Sequence, residues 1–246
     1  MRIAFCLHGF AGGKNITSGL PVDFAPAYEH FREHIFNVNN VDVFIHAWNP
    51  ELEKDLHALY RPVAASFEKM VMFDASPTKR HGIYSRWSSF KKAVELKRQH
   101  EEREGFKYDF VMVARFDLLF FRDVRFGDYD PKYFYVPRWD GDSREGVSDL
   151  WFFSNSRAMD RFATLFDVLD SYLPAVELSN HVLARHHLEK LGMLPSVKPL
   201  FKKPEDFTLT REYYRGTKKI LIGAFRLALI SLLGEERYVR MRERLR

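Results

Sequence analysis

The chain has 246 residues, 46% of them hydrophobic, so it can bury a sizeable core as one large domain or two small ones. Its single cysteine, Cys6, excludes an internal disulfide and points to a reducing compartment, and no run of about eighteen or more apolar residues marks a membrane span. The net charge of +5 is unevenly placed: residues 211–246 carry 10 Lys and Arg against 4 Asp and Glu, the rest 28 against 29, and a near-neutral main domain argues against a nucleic-acid partner.

Residues 2–7 form a short apolar run with no small-residue cleavage site behind it, and they read as a first strand rather than a signal peptide. A glycine-rich turn follows, His8-Gly9-Phe10-Ala11-Gly12-Gly13. Apolar residues at Phe24, Ala27, Tyr28, Phe31 and Ile35 have helical spacing, so a helix is expected over 23–36. VDVFIHAW (41–48) is a second strand. Residues 50–59 form a short helix closed by Arg61-Pro62, and a third strand falls within 63–73. A long helix is expected over 83–104, ended by Gly105, followed by a fourth strand at 110–115. Short strands at 133–137 and 150–153 come next. Ser154-Asn155 caps a helix running to about residue 172, and a last helix over 178–191 ends at Gly192. Strands alternating with helices through the first 120 residues argue for an α/β fold with a mostly parallel sheet. In such sheets ligands bind beyond the carboxyl ends of the strands.

The candidate functional residues fall near those ends. In Arg115-Phe116-Asp117 the acid suits a divalent ion or a sugar hydroxyl, and the arginine suits phosphate or the neighbouring carboxylate. The alternative is a structural ion pair closing the strand. His8, Gly9 and their turn either bring backbone amides to a nucleotide base or phosphate or make an ordinary tight turn. The turn matches neither a dinucleotide fingerprint nor a Walker loop. No G-x-S-x-G elbow accompanies it, as an α/β-hydrolase requires. Arg86 is expected near the start of the long helix, where the macrodipole disfavours a cation; an anionic partner such as phosphate or plain solvent exposure would each account for it. Asp149 precedes an apolar strand and suits a general base or a sugar contact; its plain alternative is a polar strand edge. Asp128-Tyr129-Asp130 and Asp140-Gly141-Asp142 are D-x-D strings that turn chemistry also explains. His186 and His187 lack the i, i+4 spacing of a helical zinc pair.

The stretch ILIGAFRLALISLL (220–233), with Lys218-Lys219 before it and RYVRMRERLR after it, would span about 21 Å as a helix, short of the roughly 30 Å hydrocarbon core. An interfacial amphipathic helix drawn to anionic lipid and a helix packed on the domain both fit it.

Taken in order, NNVDVFIHAW, YSRWSSFKKAVELKR, YDFVMVARFDLLF, FYVP, GVSDLWFFSNSRAMDRF and HHLEKLG resemble a group of bacterial and viral sugar transferases associated with capsule, lipopolysaccharide and other surface glycans. The resemblance covers about residues 1–200 and stops before the tail. It implies a GT-A-like, Rossmann-like catalytic domain, taken over 1–210, a nucleotide-diphosphate sugar donor and a glycan or lipid-linked acceptor. The tail over 211–246 lies outside the resemblance; its own basic and apolar residues read as a helical tail, and with the lone cysteine they point to a cytoplasmic location, peripheral on a membrane. Where the group carries a metal-binding D-x-D, this chain reads Arg115-Phe116-Asp117 and keeps the last acid alone. A Mg²⁺ or Mn²⁺ ion on Asp117 and cationic side chains in its place are therefore both open. The group's acid before the late helix has Glu177 as its nearest counterpart, followed by Asn180-His181. Glycosyl transfer passes through an oxocarbenium-like state and needs charge stabilisation on the departing diphosphate. The roles this implies are His8, Gly9, Arg86, Arg115 and Asp117 on the donor, Asp149 in catalysis, and Asp140 and Asp142 on sugar or acceptor. An α/β hydrolase and a non-catalytic membrane-associated binding protein are the competing readings.

Overall fold

A computed structural model describes all residues except 15–20, 75–77, 139–145, 174 and 216–246. Asp140, Asp142 and the apolar stretch 220–233 lie outside the described residues. In chain order the elements are β1 (Ile3–Gly9), β2 (Gly12–Lys14), β3 (Pro21–Asp23), α1 (Phe24–Phe31), β4 (Val41–Ala47), α2 (Glu53–Tyr60), β5 (Ala64–Phe67), α3 (Lys79–Glu104), β6 (Phe110–Arg115), β7 (Leu118–Phe120), β8 (Phe134–Arg138), β9 (Trp151–Ser154), α4 (Ser156–Phe162), α5 (Leu165–Tyr172), α6 (Asn180–Lys190), β10 (Val197–Lys202) and β11 (Phe207–Leu209).

Seven strands form one sheet in the order β10-β8-β9-β6-β1-β4-β5. β1, β4, β5 and β6 run parallel; β9 is reversed, and β8 and β10 return to the common direction. Parallel neighbours need crossovers, and helices supply them. α1 and α2 cover one face with Phe31, Ala27, Leu56 and Tyr60, against Ile3, Phe5 and Leu7 of β1. α3 to α6 cover the other face, where Ala4 and Cys6 meet Trp87, Phe90 and Phe162. Burial on both faces is why β1, β4 and β6 read as continuous apolar runs. The chain steps outward from β1 to β4 to β5, then α3 carries it back so that β6 lands on β1's other side. Strand order therefore reverses between β1 and β6, which is the topological switch point of such sheets.

Three expectations need correction. The long helix begins at Lys79, four residues before the expected start, because the Thr78 hydroxyl caps it by accepting from the His81 amide (3.1 Å). Arg86 therefore sits two turns inside α3, and a macrodipole cost at a helix start does not apply to it. The helix expected up to residue 172 is two, α4 and α5, broken where the Thr164 hydroxyl donates back to the Arg161 carbonyl at 2.8 Å. The ribbons β2–β3 and β7–β11 and the edge strand β10 were not expected at all. Among the described residues, no helix is long and apolar enough to cross a membrane.

Candidate functional site

β1 and β6 are in register with His8 beside Arg115, so the turn after β1 and the end of β6 open onto the same edge of the sheet. Because β9 runs against β6, with Trp151 opposite Ala114, its amino end lies at that edge too and brings in Asp149. α3 runs back along the sheet and sets its early turns beside the same edge. Residues more than 100 positions apart in sequence thus share one cleft.

The cleft has two adjoining cavities. The first, about 200 Å³, is lined by His8, Gly9, Phe10, Trp48, Arg86, Arg115 and Asp117 among others. The second, about 490 Å³, is lined by Arg138, Ser148, Asp149, His181, Lys203 and Glu212 among others. Arg115, Asn180 and Arg211 belong to both walls. Arg211 arrives because the Thr210 amide donates to the Asp117 carbonyl at 2.9 Å. Among the described residues, the walls hold five basic side chains (Arg86, Arg115, Arg138, Lys203, Arg211) and three acids (Asp117, Asp149, Glu212), histidines apart.

Two ion pairs organise the cleft. Arg115 grips Asp117 with both arms, Nε to Oδ1 at 2.8 Å and Nη2 to Oδ2 at 2.5 Å. Asp117 is only 4% exposed, while a quarter of the Arg115 side chain remains accessible. Arg86 Nε lies 3.1 Å from Asp149 Oδ2, and its Nη2 donates to the Asp149 carbonyl. His181 Nδ1 lies 3.0 Å from Asp149 Oδ1. Burial pushes the Asp149 carboxyl up, but the charges of Arg86, His181 and Arg115 outweigh it and hold the group below the usual aspartate range. Burial lowers Arg86 to about 10, only partly offset by Asp149, with Arg115 adding repulsion. Arg115 moves the other way: burial opposes its charge, yet Asp117 and Asp149 raise it. His8 is nearly sealed from solvent, its Nδ1 has no partner among the described residues, and burial followed by Arg86 and Arg115 keeps it neutral, well below its ordinary value.

Of the two readings of the glycine turn, the described hydrogen bonds favour the ordinary tight turn for the Gly9, Ala11 and Gly12 amides. The Gly9 amide donates to Ser89 Oγ (2.8 Å), and the Ala11 amide to Asn49 Oδ1 (2.9 Å), with Gly12 at 3.4 Å from the same oxygen. These donors are spent on holding the turn. Gly9 itself has φ +102°, and among the described residues no atom lies within 4 Å of where a β-carbon would stand. Ser89 and Asn49, neither singled out from sequence, fix the turn across 80 and 38 residues of chain; such separations leave no local signature.

Of the remaining candidates, Asp128 and Asp130 lie before β8, at the edge of the sheet away from the cleft, and Asp130 makes a turn, accepting from the Lys132 amide at 3.0 Å. Glu177 is exposed and lines neither cavity, whereas Asn180 and His181 after it do. His187 is buried against the Tyr172 hydroxyl at 2.9 Å. No three His, Cys, Asp or Glu side chains come together as a metal site among the described residues. No protein-family model and no curated protein matches this chain.

Proposed function

We propose that the protein is a GT-A-like glycosyltransferase that moves a sugar from a nucleotide-diphosphate donor to a glycan or lipid-linked glycan acceptor in surface-polysaccharide synthesis. The observation that carries this reading is the convergence of Gly9, Arg86, Arg115 and Asp117 around one cavity at the switch point, with Asp149 lining the cavity next door. Arginines at the first cavity suit a departing diphosphate. The second cavity is where an acceptor would approach. Asp149 is held ionised by Arg86 and His181, which makes it a weak proton acceptor; contact with an acceptor hydroxyl suits it better than proton abstraction. Asp140 and Asp142 are proposed to contact sugar or acceptor. The basic, apolar segment after residue 216 is proposed to hold the enzyme at an anionic membrane surface on the cytoplasmic side.

The hydrolase reading finds less support. Ser89, His46 and Glu68 do come together, with His46 Nδ1 2.6 Å from Ser89 Oγ and Nε2 3.5 Å from Glu68. Ser89 and His46 are both fully buried, though, and Ser89 Oγ already accepts from Gly9. A nucleophile needs access that this one lacks.

Incubating the full chain with a panel of nucleotide sugars, with and without glycan and lipid-linked acceptors, tests the proposal. Acceptor-dependent release of nucleoside diphosphate is expected, lost in Asp117→Asn and strongly reduced in Asp149→Asn. Sugar release indifferent to acceptor would instead indicate a hydrolase, and full activity in both variants would remove the assignment.

A further inference from the structure

We propose that the cleft holds its donor's diphosphate with arginine side chains alone, without a divalent cation, and that Asp117 is a positioning residue for Arg115 rather than a metal ligand. The inference rests on the transferase reading and specifies how that site binds its donor.

The donor set decides the point. A divalent ion on a diphosphate takes hard, anionic oxygens from the protein. Here the one acid at the end of β6 is Asp117, and each of its oxygens already receives an N–H from Arg115. An ion placed on that carboxylate would lie against a guanidinium cation. The other two acids of the described walls are likewise committed, Asp149 to Arg86 and His181 and Glu212 to Lys203 at 2.7 Å. Among the described residues, the acids of the cleft do not fit a divalent metal.

They do fit an anion. A guanidinium has five N–H donors, and Asp117 engages two of Arg115's, one on Nε and one on Nη2. The rest of its fork lies in the wall common to both cavities, fixed in orientation by the same ion pair. Arg86 and Arg211 stand in the first cavity beside it. Among the described residues, five basic side chains stand against three acids in the combined walls, and partial burial strengthens the attraction of such guanidiniums for phosphate. Arg86 is incompletely compensated, since burial costs it more than Asp149 returns. An entering diphosphate would supply the missing counter-charge.

The test is binding to the full chain, followed by calorimetry, of inorganic pyrophosphate and of uridine, guanosine, cytidine, adenosine and thymidine diphosphates, each in EDTA and in Mn²⁺. At least one nucleoside diphosphate is expected to bind with a Kd that agrees to within about twofold between the two conditions. Arg115→Met should weaken that binding by about tenfold or more, and Arg115→Lys should recover only part of it, because a single ammonium cannot reproduce the fork. Asp117→Asn should weaken it equally in EDTA and in Mn²⁺. A metal-ligand role would show the Asp117→Asn loss in Mn²⁺ alone. Binding that appears only with Mn²⁺, with that pattern in the variant, overturns the inference and leaves the transferase reading standing. Binding of no diphosphate under either condition overturns both.

Discussion

Gly146 lies so close to the first turn of α6 that a β-carbon on it would sit 2.8 Å from the backbone carbonyl carbon of His181. Two hydrogen bonds strap the same pair of segments together: the Val147 amide donates to the His181 carbonyl at 3.1 Å, and His181 Nδ1 lies 3.2 Å from the Val147 carbonyl. The glycine is what lets the segment leading into β9, which carries Asp149, meet the helix carrying Asn180 and His181. Gly146→Ala is expected to destabilise the fold by about 1–3 kcal/mol, as overpacking against immobile backbone does, and to reduce transfer by displacing Asp149. Gly9→Ala makes the comparison. It meets no atom but forces a side chain to φ +102°, so it should cost about 1 kcal/mol from backbone strain alone. Urea denaturation of both variants checks the ranking; equal stability of Gly146→Ala and wild type would show that the strap yields.

Asp117→Asn should lower stability as well as donor binding. Its carboxylate is buried while Arg115 keeps a quarter of its side chain in solvent, so the loss belongs between the surface and fully buried limits, about 1–3 kcal/mol. Asp117→Ala should cost no less. Denaturant midpoints at pH 7 measure this, and a change below about 0.5 kcal/mol would mean that the pair contributes little.

Parts of this arrangement are written plainly in the chain. β1, β4 and β6 are largely apolar, Asp42, His46 and His8 apart, because helices cover both their faces, and Arg115 and Asp117 stand out as charges at the end of such a run. The reversal of β9 is not legible. WFFS has no feature that tells parallel from antiparallel, yet that direction is what delivers Asp149 to the cleft. β10 reads VKPLFK, with a proline and two lysines, because it is an edge strand with one side unpaired, and edge strands lack the signal of central ones. β7 and β11 have three residues each, too few to show a period. Ser89 and Asn49 act on the glycine turn only through the folded topology, so no window of sequence contains both partners. Arg211 and Glu212, placed with the tail by charge alone, line the cleft because β11 pairs with β7 and returns the chain to Asp117.

Mild acid should weaken the fold before the carboxylates titrate. His46 and His187 are both buried, and burial lowers each from 6.5 to about 4, with Lys92 adding to the effect on His46. Between pH 6.5 and 4 the unfolded chain therefore binds protons that the folded chain refuses, and stability falls as pH falls through that window. Each histidine contributes a slope of up to about 1.4 kcal/mol per pH unit. Asp149 acts below this range: its folded carboxyl lies under the unfolded value of 3.8, so its stabilisation is present above that value and disappears as pH drops through the folded one. Guanidinium denaturation at pH 7, 6 and 5 should show the decline, and His187→Gln should flatten it. A pH-independent midpoint over this interval would contradict the neutral burial of both rings.

Lys97 looks like a solvent-facing lysine in the run VELKRQHEERE, yet it is completely buried. Its ammonium reaches Glu101 at 3.0 Å, Ser156 Oγ at 2.6 Å and Asp160 at 2.6 Å. Glu101 in turn accepts from the Tyr108 amide at 2.9 Å and from Lys107 at 2.9 Å, so one buried cluster ties α3 to α4 and to the entry of β6. Lys97→Met removes the central cation and leaves the buried Glu101 carboxylate with the Tyr108 amide and the largely exposed Lys107, which is expected to cost up to about 3–5 kcal/mol. Lys97→Met combined with Glu101→Gln should recover part of that loss, since the buried charge is gone. Lys97 lies eleven residues along α3 from Arg86, about 16 Å at the helical rise, so the cluster supports the sheet without touching the cleft. Transfer measured well below the melting temperature should therefore keep a wild-type KM in Lys97→Met even as its melting temperature falls. A changed KM with stability intact would place the cluster in the donor site instead of beneath it.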